Sequence, residues 1–265
     1  LGKLIGGLIG LFSGGLFMGL LGLFVGSLFD KAARNFSKRE SPAVLQAVQE
    51  KFFQTTFTLI GYLAKSDGTV TQEEVDQTQS LMDKMGLTAD HKREAIRLFK
   101  VGSTPGFDPQ VTLQSFRDTC SGRIQLTQML MVNLINIALA DGKFDAKEES
   151  ALREVAQGLN FSHLAFEQLL KMIRAQGAFA GSNYQSRQGR QQPSRNQLNA
   201  AYDALGVTEA ASDTDIKKAY RKLISEYHPD KLMGQGVPED MIKVATERTQ
   251  EIQTAYDLIK KMRKK

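Results

Sequence analysis

The sequence predicts an all-α protein, and three observations carry that prediction. An uncharged apolar run lies near the N-terminus, the middle repeats one helical pattern at a fixed offset, and the last stretch reads as a helical hairpin. No segment shows convincing period-two alternation bounded by turn residues, so no strand is predicted. Among 265 residues, 34 Lys and Arg oppose 29 Asp and Glu, a net charge of +5. With 42% hydrophobic and 24% charged residues, the composition is that of a folded protein. A lone cysteine, Cys120, excludes a disulfide framework and a Cys-rich zinc module. The mild positive excess does not by itself point to nucleic acid, and no such partner is expected.

The first element, residues 1–30, is predicted to be a glycine-rich transmembrane anchor. From Leu4 to Phe29 there is no charged residue. A helix of that run reaches about 39 Å at 1.5 Å per residue, more than the ~30 Å hydrocarbon core, so a tilted spanning helix fits. A cleaved secretory signal would have a shorter apolar stretch and a small-residue cleavage site, so the segment is expected to be retained. Only Lys3 precedes the run, whereas Lys31, Arg34, Lys38 and Arg39 follow it. That asymmetry places everything after Asp30 in the cytoplasm and the short N-terminus outside it. Gly6, Gly10 and Gly14 recur in steps of four, and Gly15, Gly19, Gly22 and Gly26 in steps of four, three and four. Small residues at this spacing let two helix backbones approach closely, which predicts a homodimer within the bilayer.

Residues 41–177 read as helix after helix. Ser41 with Pro42 opens one, and Asp108 with Pro109 another, each using proline where its missing N–H costs nothing. The stretch Ala64–Glu74 matches Ala138–Glu148, with Asp67 and Asp141 74 positions apart. Thr71 with Glu74 and Asp145 with Glu148 read as N-cap and N3 pairs. Gly86 and Asn160, also 74 apart, suit a left-handed helix stop, and Thr88 and Ser162 suit the caps that follow. The unit is therefore a long helix, an Asp-Gly turn and two capped helices, occurring twice around one apolar core. The turns gather Asp67, Glu73 and Glu74, and Asp141, Asp145, Glu148 and Glu149. Clustered oxygens are what a hard divalent cation needs, but the ladder of an EF-hand loop is missing, and turn-and-cap roles account for each residue; no metal ligand is assigned.

Residues 178–197 are rich in Gln, Ser, Gly and Arg and contain no acid, the composition of a flexible tether. Within residues 198–265, a short helix closes on Leu205 and Val207. A second, capped by Ser212 or Asp213, carries Ile216, Ala219, Tyr220, Leu223 and Tyr227 at helical spacing. Lys217, Lys218, Arg221 and Lys222 lie between those positions as a compact basic face. Pro229 disfavours helix at His228 and predicts a loop there. A third helix follows Pro238 through Ile242, Ala245, Ile252, Ala255, Tyr256 and Ile259, antiparallel to the second.

The repeated middle resembles the tellurite-resistance TerB-like domain, some of whose members are linked to divalent metals. The C-terminal stretch resembles the J-domain of the DnaJ co-chaperones: Tyr202 to Val207, the basic helix ending in Tyr227, His228-Pro229-Asp230, Lys231, and Ala255-Tyr256 all fall in that family's places. Thr249 stands where many J-domains carry phenylalanine, and the segment Lys231 to Glu239 is longer than usual. Together with the anchor, the whole chain resembles the membrane-anchored DnaJ-like co-chaperones of Gram-negative inner membranes.

That resemblance implies recruitment of a DnaK-type chaperone and stimulation of its ATPase, in envelope-stress or capsule signalling. Lys217, Lys218, Arg221, Lys222 and Lys231 would steer an acidic partner surface, and His228, Pro229 and Asp230 would make the contacts that bias the partner towards hydrolysis. The ATP site belongs to the partner, since this chain has no Gly-rich Lys-Ser/Thr phosphate loop, and no cofactor is expected. An enzymatic reading of His228 and Asp230 fails: residues flanking a proline do not readily face each other, and no nucleophile accompanies them. Cys120 is predicted to be core, and His91 and His163 surface or helix-terminal residues. The competing functional reading is a metal- or oxyanion-stress sensor built on the repeated middle.

Overall fold

A computed structural model describes residues 41–66, 72–139, 144, 146–186 and 195–263. The anchor, both Asp-Gly turns and the middle of the Gln-rich segment lie outside these described residues. The chain divides into two units, Leu1–Leu45 and Gln46–Lys265. Of the first, the described part is Ser41, whose carbonyl accepts from the Val44 and Leu45 amides, and the opening turn of the helix it starts.

Every described element is helical. The middle comprises α1 (Pro42–Ala64), α2 (Gln72–Met85), α3 (Ala89–Gly102), α4 (Pro109–Thr119), α5 (Ile124–Ala138), α6 (Ala146–Gly158) and α7 (His163–Ser186). The duplication keeps its offset at three helix boundaries. Helices α1 and α5 end 74 positions apart, as α2 and α6, and α3 and α7, begin. Gly86 (φ +79°) and Asn160 (φ +56°) both take the left-handed stop. Thr88 Oγ1 accepts from His91 N and Ser162 Oγ from Ala165 N, each at 3.2 Å. One local code, read twice, sets two copies of the same three-helix unit.

Hydrophobicity sorts these helices. α1 and α5 are apolar on most sides and buried on most sides, with Phe52, Phe57, Leu59 and Ile60 from one and Leu130, Val132, Leu134 and Ile135 from the other inaccessible to solvent. α3 is amphipathic and buries only Ala95, Leu98, Phe99 and Gly102. Cys120 is buried at the C-terminus of α4, as its apolar setting predicted. His91 stands in the first turn of α3 and His163 opens α7, both terminal positions. Glu149 is held by Arg153 at 2.6 Å and by Arg174 at 3.9 Å, so one of the turn carboxylates is committed to ion pairs. Among the described residues no group of His, Cys, Asp and Glu is arranged to hold a metal ion.

The remaining helices are α8 (Arg195–Ala204), α9 (Asp213–Tyr227), α10 (Pro229–Gln235) and α11 (Ile242–Arg263), the last preceded by a 3₁₀ turn, Glu239–Met241. Helix α7 extends through Ser186 and α8 begins at Arg195, so helix enters the predicted tether from both sides. The loop predicted after Pro229 is instead the short helix α10. Proline at a first helical position forfeits no hydrogen bond, and the extended conformation it imposes on the preceding residue (His228 φ −63°, ψ 125°) breaks the chain direction without ending helical structure.

Candidate functional site

The C-terminal hairpin is built from the cap inward. Ser212 Oγ accepts from Asp215 N at 3.1 Å and donates to the Asp215 carboxylate at 2.7 Å, fixing the start of α9. Asp213 and Asp215 place negative charge at the positive end of the helix dipole. Ile216, Leu223 and Tyr227 are buried, which turns Lys217, Lys218, Arg221 and Lys222 outward, all exposed. The sequence-predicted basic face is thus one continuous surface.

Helices α9 and α11 run antiparallel. Tyr220 stacks on Tyr256 with ring centroids 4.2 Å apart, and seven residues later Tyr227 lies beneath the Arg248 guanidinium, 5.6 Å from its ring centre. Tyr220 also donates its hydroxyl to Gln253 Oε1. Arg263, near the end of α11, closes the bundle: its guanidinium reaches the Tyr202 hydroxyl at 2.9 Å, the Asp213 carboxylate at 2.7 Å and the Glu209 carbonyl at 2.6 Å. One side chain thereby joins α8, α9 and the loop between them.

His228 ends α9 and precedes α10, with Pro229 at the first helical position. His228, Asp230 and Lys231 are exposed, and Pro229 is half-buried. Lys231 leans back along the hairpin, Nζ 3.4 Å from Ser225 Oγ. The tip and the basic face are therefore open together, on elements stiffened from behind.

Arg248 supplies much of that stiffening, and sequence reading did not single it out. It is only 4% exposed, burial pulls its guanidinium below the usual range, and burial pushes Tyr227 up. Its carboxylate partner Glu251 is 3.6 Å away and is itself pushed up by burial. The signal was present: Arg248 occupies the apolar stripe Ala245, Ile252, Ala255, Ile259, where a cation must be buried. Thr249, in the position where many J-domains carry phenylalanine, is half-buried and donates its hydroxyl to the Thr246 carbonyl at 2.8 Å.

Three family descriptions match the chain in succession: "Co-chaperone DjlA transmembrane domain" over residues 1–41, "Tellurite resistance protein TerB" over 54–171 and "DnaJ domain" over 200–265. Curated relatives named co-chaperone protein DjlA align along nearly the whole chain. That of Vibrio cholerae is 40% identical over 98% of this chain and 97% of its own. That of Photobacterium profundum is 38% identical over 98% of both chains, and that of Coxiella burnetii 38% identical over 99% and 98%. This chain belongs to the DjlA co-chaperone family. Membership makes it a membrane-anchored protein with a TerB-like middle and a J-domain, as its sequence predicted. Among the described residues no helix is long and apolar enough to cross a membrane, and the glycine-rich run of this DjlA family member lies outside them. No solved structure is similar enough to the chain to count as a match.

Proposed function

We propose that this chain is a membrane-anchored J-domain co-chaperone that recruits a DnaK-type chaperone and stimulates its ATPase. The observation that carries the reading is the joint exposure of four cations on α9 and of His228 and Asp230 at the helix break beside them. The chain is a regulator without a catalytic centre of its own. Lys217, Lys218, Arg221 and Lys222, with Lys231, steer an acidic chaperone surface and set its register. His228 and Asp230, held on Pro229, touch the chaperone more favourably in its hydrolysing conformation than in its resting one. That difference in affinity shifts the chaperone's equilibrium, and the chaperone's own site splits ATP.

Residues 1–30 anchor the protein in the inner membrane with the N-terminus periplasmic and the TerB-like domain (41–177), tether (178–197) and J-domain (198–265) cytoplasmic. The anchor pairs with a second copy through its glycine face. The positive charge following the apolar run supports that orientation, and the small-residue steps support the pairing.

Single-turnover ATP hydrolysis by a DnaK-type chaperone, with the full chain in lipid nanodiscs, tests the reading. Wild type should accelerate hydrolysis, and His228→Gln should not, although its helical content and unfolding midpoint stay those of the parent. Equal acceleration by the variant refutes the role of the tip.

A further inference from the structure

The segment behind the tip, longer than J-domains usually have, does not project into solvent. It is seated on the TerB-like domain. At the end of α10, Gly236 adopts φ +109°, and the Val237 amide returns to the Leu232 carbonyl at 3.0 Å to close the helix. A Cβ at Gly236 would stand 2.4 Å from Val48 Cγ1, a stiff β-branched side chain of α1 that is itself 1% exposed. Position 236 thus needs glycine twice over, once for its backbone and once for the surface it lies against. Beside it, Arg123 Nη1 donates to the Gln235 carbonyl at 2.9 Å, satisfying a helix-end acceptor from the other domain. On the far side of the turn, His91 Nδ1 meets the Asp240 carboxylate. Val237 and Met241, within the seated segment, are fully buried. A separate contact, Lys171 Nζ to Asp203 Oδ1 at 2.8 Å, joins α7 to α8.

We propose that residues 232–241 form an intramolecular docking element and that the TerB-like domain carries a built acceptor for it. The acceptor combines an apolar seat at Val48, a cation at Arg123 for a helix C-terminus, and His91 for a carboxylate. The TerB-like domain is then a platform that fixes the J-domain, and it does so through the segment joined directly to the tip. In the docked arrangement His228, Asp230 and the α9 cations remain exposed, so docking orients a working tip and does not mask it.

The test is a crosslink in the full chain in nanodiscs. His91→Cys with Asp240→Cys should form an intramolecular disulfide rapidly under mild oxidation. Cys120 will not compete, because it is buried and its thiol is pushed up to about 11. Adding Arg123→Ala should slow the crosslink several-fold with the unfolding midpoint monitored in parallel. No crosslink, or one whose rate ignores Arg123 in a folded protein, overturns the docking element. The ATPase arm rests on the co-chaperone reading. The oxidised protein should stimulate a DnaK-type chaperone within twofold of its own reduced form. Loss of stimulation on oxidation alone overturns the claim that the docked tip works, whereas absence of stimulation in both forms strikes the co-chaperone reading and leaves the crosslink result standing.

Discussion

Lys217, Lys218 and Arg221 on α9 have no carboxylate within ion-pairing distance among the described residues, and Lys222 reaches Glu226 only at 3.9 Å with most of its side chain in water. Exposed pairs of that kind contribute about 0–1 kcal/mol, so these cations add little to folding. On the proposed reading their effect belongs to encounter. Arg221→Glu should leave the unfolding midpoint close to that of wild type, slow association with a DnaK-type chaperone by roughly tenfold, and flatten its dependence on salt, all readable by surface plasmon resonance. Cys120 tests the interior. Burial holds its thiol near 11 against an ordinary 9. Between those values the unfolded chain gives up its proton while the folded chain keeps it, so stability falls as pH rises through the window. Below pH 9 both states keep the proton and the contribution is flat. Cys120→Ala should abolish this alkaline loss, so that its unfolding midpoint converges on that of the parent as pH climbs from 9 to 11.

Helix pairing depends on details finer than hydrophobic pattern. α1 and α3 cross backbone to backbone: a Cβ at Gly61 would lie 2.0 Å from the Phe99 carbonyl oxygen, and one at Gly102 would lie 1.8 Å from that of Thr58. Each glycine meets the main chain of the other helix, where no side chain can yield. Gly61→Ala, which by helix propensity alone would stabilise α1 by about 1 kcal/mol, should instead cost about 1–3 kcal/mol in urea unfolding as the two helices are forced apart. The helices themselves were legible in advance. Caps at Thr88, Asp108 and Ser212 and stops at Gly86 and Asn160 act within a turn, so a local reading finds them. What Gly61 and Gly102 do for each other is invisible locally, because the partner lies on another helix. The same distinction explains α10: Pro229 marks a break correctly, yet whether loop or helix follows depends on the tertiary packing in which Leu232 and Val237 are buried.

Across the molecule, the proposed pairing of two anchors through their glycine steps would bring two J-domains into one assembly. Gly14→Ile should lower the crosslinked dimer fraction of full chain in nanodiscs without altering the folded spectrum of the remainder. Leu16→Ile, about half a turn round the predicted helix from Gly14, serves as the comparison. The division into anchor, repeated helical middle and basic hairpin follows from properties that neighbouring residues carry among themselves: absence of charge over a membrane's thickness, caps repeated at one offset, cations alternating with an apolar stripe. Those signals depend on hydration and backbone hydrogen bonding within a few residues, and so the order of amino acids is enough to reveal them. The seating of the J-domain on the TerB-like domain is of another kind. Arg123 and Gln235 are separated by 112 positions, and His91 and Asp240 by 149. An arginine near a helix start or an aspartate in a turn looks the same whether solvent or a second domain faces it, and only the packed chain chooses between them.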